Sequence, residues 1–223
     1  MHHNPWLAAT QEPSTDVVTA VTTPGAAPAV AADVLADVVT GPVRPQAGVD
    51  ELDAVDRLPR RIPQVPALAW WLGAHGGAGE STLAEYLPGS RAADHAWPTS
   101  GAAEVGAPAR VVLVARSHAR GLRAAQRALT DWASGAVPGV ELLGLVVVAD
   151  APGRTPKPLR DLSRLVAGGA PRVWHLPWIE AARYAPTEGP ASVPASARAL
   201  VRSISHLCET TGAPASTIRK DTR

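Results

Sequence analysis

One junction limits the fold of this chain more than any other. Ala67 to Gly73 is a short continuous apolar run, and the glycine-rich turn Ala74-His75-Gly76-Gly77-Ala78-Gly79-Glu80-Ser81-Thr82 follows at once. Ser81 to Leu87 then reads as a short helix stopped by Pro88 and Gly89. An apolar run without polar alternation suits a strand covered on both faces, as in parallel sheets. Glycines between that strand and the helix allow tight curvature, so consecutive backbone N–H groups can line a concavity that favours anions.

The second half repeats the strand-to-helix pattern. Ala109 to Ala115 predicts a strand, and residues 119–133 a helix with Leu122, Ala125, Leu129 and Trp132 on one face. Val140 to Ala149 is the strongest strand signal, followed by a proline-rich loop and a helix from Leu159 to Val166. Arg172 to Leu176 predicts a last short strand, Trp178 to Tyr184 a brief helical turn, and Ala195 to Cys208 a helix with Leu200, Ile204 and Leu207 on one side. Strands alternating with helices at this spacing predict an α/β fold, a mostly parallel sheet with flanking helices.

The remaining segments carry weaker signals. Proline, alanine, threonine and glycine dominate residues 1–29, which predicts no fixed structure. Val30 to Val39 suits a short helix broken by Gly41 and Pro42, and Leu52, Val55 and Leu58 a helical turn ended by Pro59. Residues 88–108 show no clear period and are expected to form a long loop around Trp97. The division is an acidic, largely disordered arm over 1–62, an α/β domain over 63–188, and a C-terminal helix with a flexible tail over 189–223.

Composition narrows the chemistry. With seven tryptophans, two tyrosines and no phenylalanine, the core must rest on Val, Leu, Ile and tryptophan. The net charge of +1 hides an uneven distribution: residues 1–62 hold eight acidic and four basic side chains. So small a net charge gives little long-range pull on a polyanion. The single cysteine, Cys208, excludes an intrachain disulfide framework and a multi-cysteine metal site. No signal peptide and no stretch of about 20 apolar residues is present, so a soluble cytoplasmic protein is expected.

The turn resembles the deviant Walker A motif of the ParA/MinD-type P-loop ATPases, Lys-Gly-Gly-x-Gly-Lys-Thr/Ser-Thr. His75 stands at the signature lysine, Glu80 at the phosphate-gripping lysine and Ser81 at the magnesium ligand. The likeness extends over roughly residues 67–184, with Leu143 to Asp150 similar to the strand that ends near the adenine and Leu176-Pro177 similar to an Ile-Pro pair. A Gly-Ala-His-Gly-Gly-Ala-Gly turn also resembles a family of short actinobacterial proteins of unknown function, some associated with conjugative or integrative elements.

The resemblance implies a reduced P-loop NTPase-like fold that binds ATP or ADP with magnesium. His75, Gly76, Gly77, Ala78, Gly79, Glu80, Ser81, Thr82 and Asp150 would form the nucleotide site, with Ser81 on the metal. Neither lysine is present, and a Glu80 carboxylate aimed at the β/γ-phosphates would repel them. No Asp-x-Asp strand is evident between Ser90 and Ala109, and Asp94 is a poor magnesium candidate. No catalytic residue is therefore assigned. The expected role is a non-hydrolysing scaffold or regulator that binds a protein partner or itself. The alternatives are a weak ATP-magnesium switch and a DNA-partition or conjugative-transfer accessory protein. His75, His95, His118 and His175 lack metal-pair spacing, and Arg154, Lys157 and Arg160 read as a solvated basic patch.

Overall fold

The structure, a computed structural model, describes residues 39–99, 107–184 and 193–211. Its centre is a five-stranded sheet, every neighbouring pair parallel. In chain order the strands are β2 (Trp70–Gly73), β3 (Arg91–Ala92), β5 (Ala109–Arg116), β6 (Val140–Val148) and β7 (Val173–Leu176), in the spatial order β3-β2-β5-β6-β7. A smaller pair joins β1 (Arg60–Arg61) to β4 (Trp97–Pro98), also parallel. The helices are α1 (Glu80–Tyr86), α2 (Ala119–Ala133), α3 (Lys157–Ala167) and α4 (Ala195–Thr211).

The apolar strands are buried on both faces because each face carries its own helical layer. Val111 to Ala115 of β5 have no solvent exposure. Val112 and Val114 pack with Leu83 and Tyr86 of α1 and with Leu200 and Ile204 of α4. Val111, Leu113 and Ala115 pack on the other side with Leu122, Ala125, Leu129 and Trp132 of α2 and Val166 of α3. The period-2 strand thus feeds two cores. α2 and α4 bury the stripes that their 3.6-residue period predicts.

The expected elements appear close to their sequence bounds, with one clear correction. Residues 88–108 are not simply a loop: β3 and β4 lie within them, and Trp97 is fully buried. Both strands are two residues long, too short for a periodic pattern to reveal. Tertiary contacts create them. β3 pairs with β2 through Trp70↔Arg91 and Trp71↔Ala92, and the Trp97 indole donates to the buried Asp131 carboxylate of α2 at 3.0 Å.

The acidic arm, as far as it is described, is fastened to the domain. Thr40 N–H donates to Pro171 O at 2.9 Å and Gln46 N–H to Ala133 O at 2.8 Å. A 3₁₀ turn forms at Ala54–Asp56, near the expected helical turn, and β1 follows it onto β4. The helix expected over residues 30–39 lies outside the described residues but for Val39. α4 continues to Thr211, past the expected end at Cys208. Adjacent Trp70 and Trp71 take opposite faces: Trp71 is fully buried with its indole on Ser90 Oγ at 2.8 Å, whereas Trp70 is half-buried near the β3 edge. Among the described residues no helix is long and apolar enough to cross a membrane.

A register shift between Val111 and Val112 leaves Leu143 as an extra residue in β6, directly before Gly144. A side chain at Gly144 would run into the Trp174 ring and the Arg172 carbonyl. Gly144→Ala is therefore expected to cost about 2 kcal/mol of stability, as overpacking of a close-packed core does. Urea unfolding followed by tryptophan fluorescence measures the loss.

Candidate functional site

In an open parallel sheet, ligands bind at the carboxyl edge where the strand order reverses. Here β2 connects onward to β3 on one side while β5, β6 and β7 continue on the other, so the reversal falls between β2 and β5. The glycine-rich turn leaves β2 at that point, and Arg116, Ser117 and His118 leave β5 beside it.

The turn takes the shape its glycines permit. Gly77 and Gly79 have φ of +74° and +106°, and Gly79 caps α1 in the left-handed conformation without a side-chain hydrogen bond. Gly76, Gly77 and Ser81 are exposed, Gly79 and Thr82 half-buried, and Ala78 buried against the α1 side of the core. The predicted residues from His75 to Thr82 are therefore contiguous around one turn. Asp150 stands apart at the end of β6, exposed, with its backbone N–H donating to Ser117 Oγ at 3.0 Å.

Glu80 departs from its expected direction. Its carboxylate is not aimed outward at phosphates but accepts the backbone N–H of Gly73 and lies 3.3 Å from His95 Nδ1. The Glu80 side chain is only 7 % exposed, against 42 % for His95. A buried N–H at the end of a strand needs an acceptor, and this carboxylate provides it. His95 Nδ1 also lies 3.0 Å from the Gly73 carbonyl. With two acceptors facing it, Nδ1 carries the proton.

His95 reaches this position through backbone strain. Asp94 and His95 both have positive φ, +52° and +56°, a region that costs non-glycine residues roughly 1 kcal/mol or more each. Asp94 is held by Arg61 at 3.0 Å. The sequence reading missed His95 as part of the site. The available signal was only that aspartate and histidine tolerate this conformation better than most residues.

His75 folds against β5 instead of projecting from the turn. Its Nε2 accepts the Arg116 N–H at 3.1 Å and its Nδ1 faces the Gly76 carbonyl at 2.9 Å, so the proton sits on Nδ1. Its ring lies 5.1 Å from that of His118, whose Nδ1 accepts the Gly121 N–H and caps α2. Burial lowers the His75 pKa below its ordinary 6.5, and the charges of His118, His95 and Arg116 push the same way, against the Gly76 hydrogen bond. Arg116 clasps the rim, its Nε donating to Gly77 O at 3.3 Å and its Nη1 to Ala149 O at 2.9 Å.

Beside the turn lies a cleft of about 80 Å³ whose lining includes Thr82, Tyr86, Arg116, Val148, Leu176 and Trp178. Arg183 completes one wall, its guanidinium 5.3 Å from the Trp178 ring centre. This is well below the roughly 300 Å³ of the smallest usual ligand pockets. No group of three or more His, Cys, Asp or Glu side chains suited to a metal occurs among the described residues.

The chain belongs to a family of unknown function, DUF6668, whose profile matches residues 67–201. No curated protein and no solved structure matches it. The family match covers the turn, every strand of the large sheet and the start of α4.

Two predictions follow from these bonds. Glu80→Ala strands the Gly73 N–H and should cost about 2 kcal/mol, while Glu80→Gln keeps an acceptor there and should cost less than about 1 kcal/mol. Urea titration of the two variants checks the ordering, and equal losses would contradict it. For His75, a folded-state pKa below 6.5 means the native state favours the neutral ring. Its contribution is then complete above the unfolded value and is lost as pH falls through the folded value. The stability advantage of wild type over His75→Gln should accordingly shrink as pH drops below 6.5, as read from melting temperatures.

Proposed function

We propose that this domain is a non-hydrolysing scaffold or regulator, built on a reduced P-loop-like fold, that works by holding a protein partner. The observation that carries the reading is the place of Glu80. The residue standing where an ATPase has its phosphate-gripping lysine is a carboxyl group committed to the interior, bonded to Gly73 and facing His95. It supplies no cation to a phosphate, and His75 is spent on the Arg116 N–H. The turn then serves as a structural joint between β2, β5 and α1.

An exposed apolar ledge supports the protein-partner part of this reading. Ile62, Val65 and Leu68 are 53 %, 45 % and 37 % exposed and lie with half-buried Trp70 around two adjoining clefts of about 470 and 420 Å³. Contiguous apolar surface of this kind is commonly an interaction site.

One observation favours a second reading, a weak ATP-magnesium switch. α1 begins without a side-chain cap, and Arg116 and Arg183 flank the adjoining cleft. Unpaired amides at a helix start and nearby guanidinium groups both attract phosphate.

Calorimetric titration with ATP-magnesium, ADP-magnesium and phosphate separates the two. The scaffold reading expects no saturable heat at millimolar ligand and no magnesium-dependent phosphate release. Glu80→Lys should restore no turnover, because it removes the Gly73 acceptor while adding the cation. Saturable nucleotide binding that disappears in Gly79→Ala would replace the scaffold with the switch.

A further inference from the structure

α2 and α3 cover the same sheet face and turn their polar sides outward together. On α2, Arg120, Arg123 and Arg127 recur at helical spacing and are all exposed, with no exposed carboxylate on that helix. α3 and the loop before it add Arg154, Lys157, Arg160 and Arg164, against two acidic side chains, Asp161 on the helix and Asp150 at the start of the loop. Asp161 is shared between Lys157 and Arg164 at 2.7 and 2.8 Å. Among the described residues, Arg120, Arg123, Arg154 and Arg160 have no ion-pair partner.

A ridge of opposite sign adjoins this face. Asp50, Glu51, Asp53 and Asp56 are exposed on the segment that runs past the end of α2. Asp56 already reaches Arg127 at 3.7 Å, and Glu51 pairs with Arg57 at 2.8 Å. Asp50 and Asp53 have no ion-pair partner among the described residues. Each patch also carries a bare apolar side chain, Val55 at 90 % exposure on the ridge and Leu165 at 69 % on the basic face.

We propose that two copies of this chain pair through these patches, the acidic ridge of each lying on the basic face of the other. Adjoining patches of opposite sign make one surface self-complementary, as a two-fold interface must be, since the same contact then forms twice. Arginine is the cation most used at protein interfaces, and Val55 and Leu165 supply apolar contact within the charged surround. A nucleic-acid backbone fits less well, because the acidic ridge beside the arginines would repel it. A lipid surface also fits less well, because the apolar faces of both helices are buried on the sheet.

Exposed ion pairs are individually weak, so the pair should be modest in affinity and sensitive to salt. This deepens the protein-partner reading by naming a partner. The nucleotide titration does not bear on it, so either can fail alone.

Sedimentation velocity of the full chain tests it. At about 100 μM protein the expected species is a dimer in about 50 mM salt and a monomer in about 500 mM, where charges are screened beyond a few ångströms. Asp50→Lys/Asp53→Lys and Arg120→Glu/Arg123→Glu should each be monomeric in low salt while keeping the wild-type circular dichroism and melting temperature. Mixed in equal amounts they should associate again, because the reversed ridge of one meets the reversed face of the other. A monomeric wild type in low salt, persistent dimers in both variants, or a mixture that stays monomeric overturns the proposal. Retention of a monomeric wild type on duplex DNA or on phosphatidylserine vesicles would overturn it in favour of that anion.

Discussion

The structure depends on the burial of β5 and β6 on both faces. Val111 to Ala115 have no exposure, and Leu145 and Val146 beside them have none. A strand with two buried faces has no outward side chain to offer chemistry, so polar function is driven to the ends of the sheet. At the carboxyl end, three loops converge, and their backbone groups must find partners in a small space. The glycine turn, the Arg116–His118 corner and the end of β6 meet there because the strand order leaves them nowhere else to go.

What happens at that edge is mostly polar satisfaction. Glu80 accepts the Gly73 N–H, His75 the Arg116 N–H, and His118 the Gly121 N–H, while Arg116 donates to Gly77 and Ala149. The His75 and Arg116 bonds tie the turn to β5 and β5 to β6, while Glu80 and His118 satisfy N–H groups of their own segments. Glu80, His75 and Arg116 are thereby engaged in holding the rim. The strained Asp94-His95 pair belongs to the same arrangement, since it brings a ring to Glu80 from the far side of β2.

Much of the fold was legible in the sequence. The long strands and helices announced themselves because burial imposes a period, and Leu122, Ala125, Leu129 and Trp132 line the buried face that their spacing required. The short strands β3 and β4 did not, because two residues cannot express a period and pairing comes wholly from distant partners. Of the candidate site, the turn and its glycines were readable, since Gly77 and Gly79 need positive φ. The direction of Glu80 was not: the motif gave its position but not its acceptor role, which depends on an N–H seven residues earlier and a histidine fifteen residues later. The same applies to the basic patch, where Arg154, Lys157 and Arg160 were visible but their union with the α2 arginines was not.

The sequence by itself determined the layered α/β architecture and the place of the glycine turn, because both follow from local period and backbone freedom. Tertiary structure alone decided what the turn faces. It placed His95 under Glu80, folded His75 onto β5, and set an acidic ridge beside an arginine face. The physical reason is range. Helical and strand periods act over a few residues, whereas hydrogen-bond satisfaction and charge proximity depend on residues brought together from across the chain.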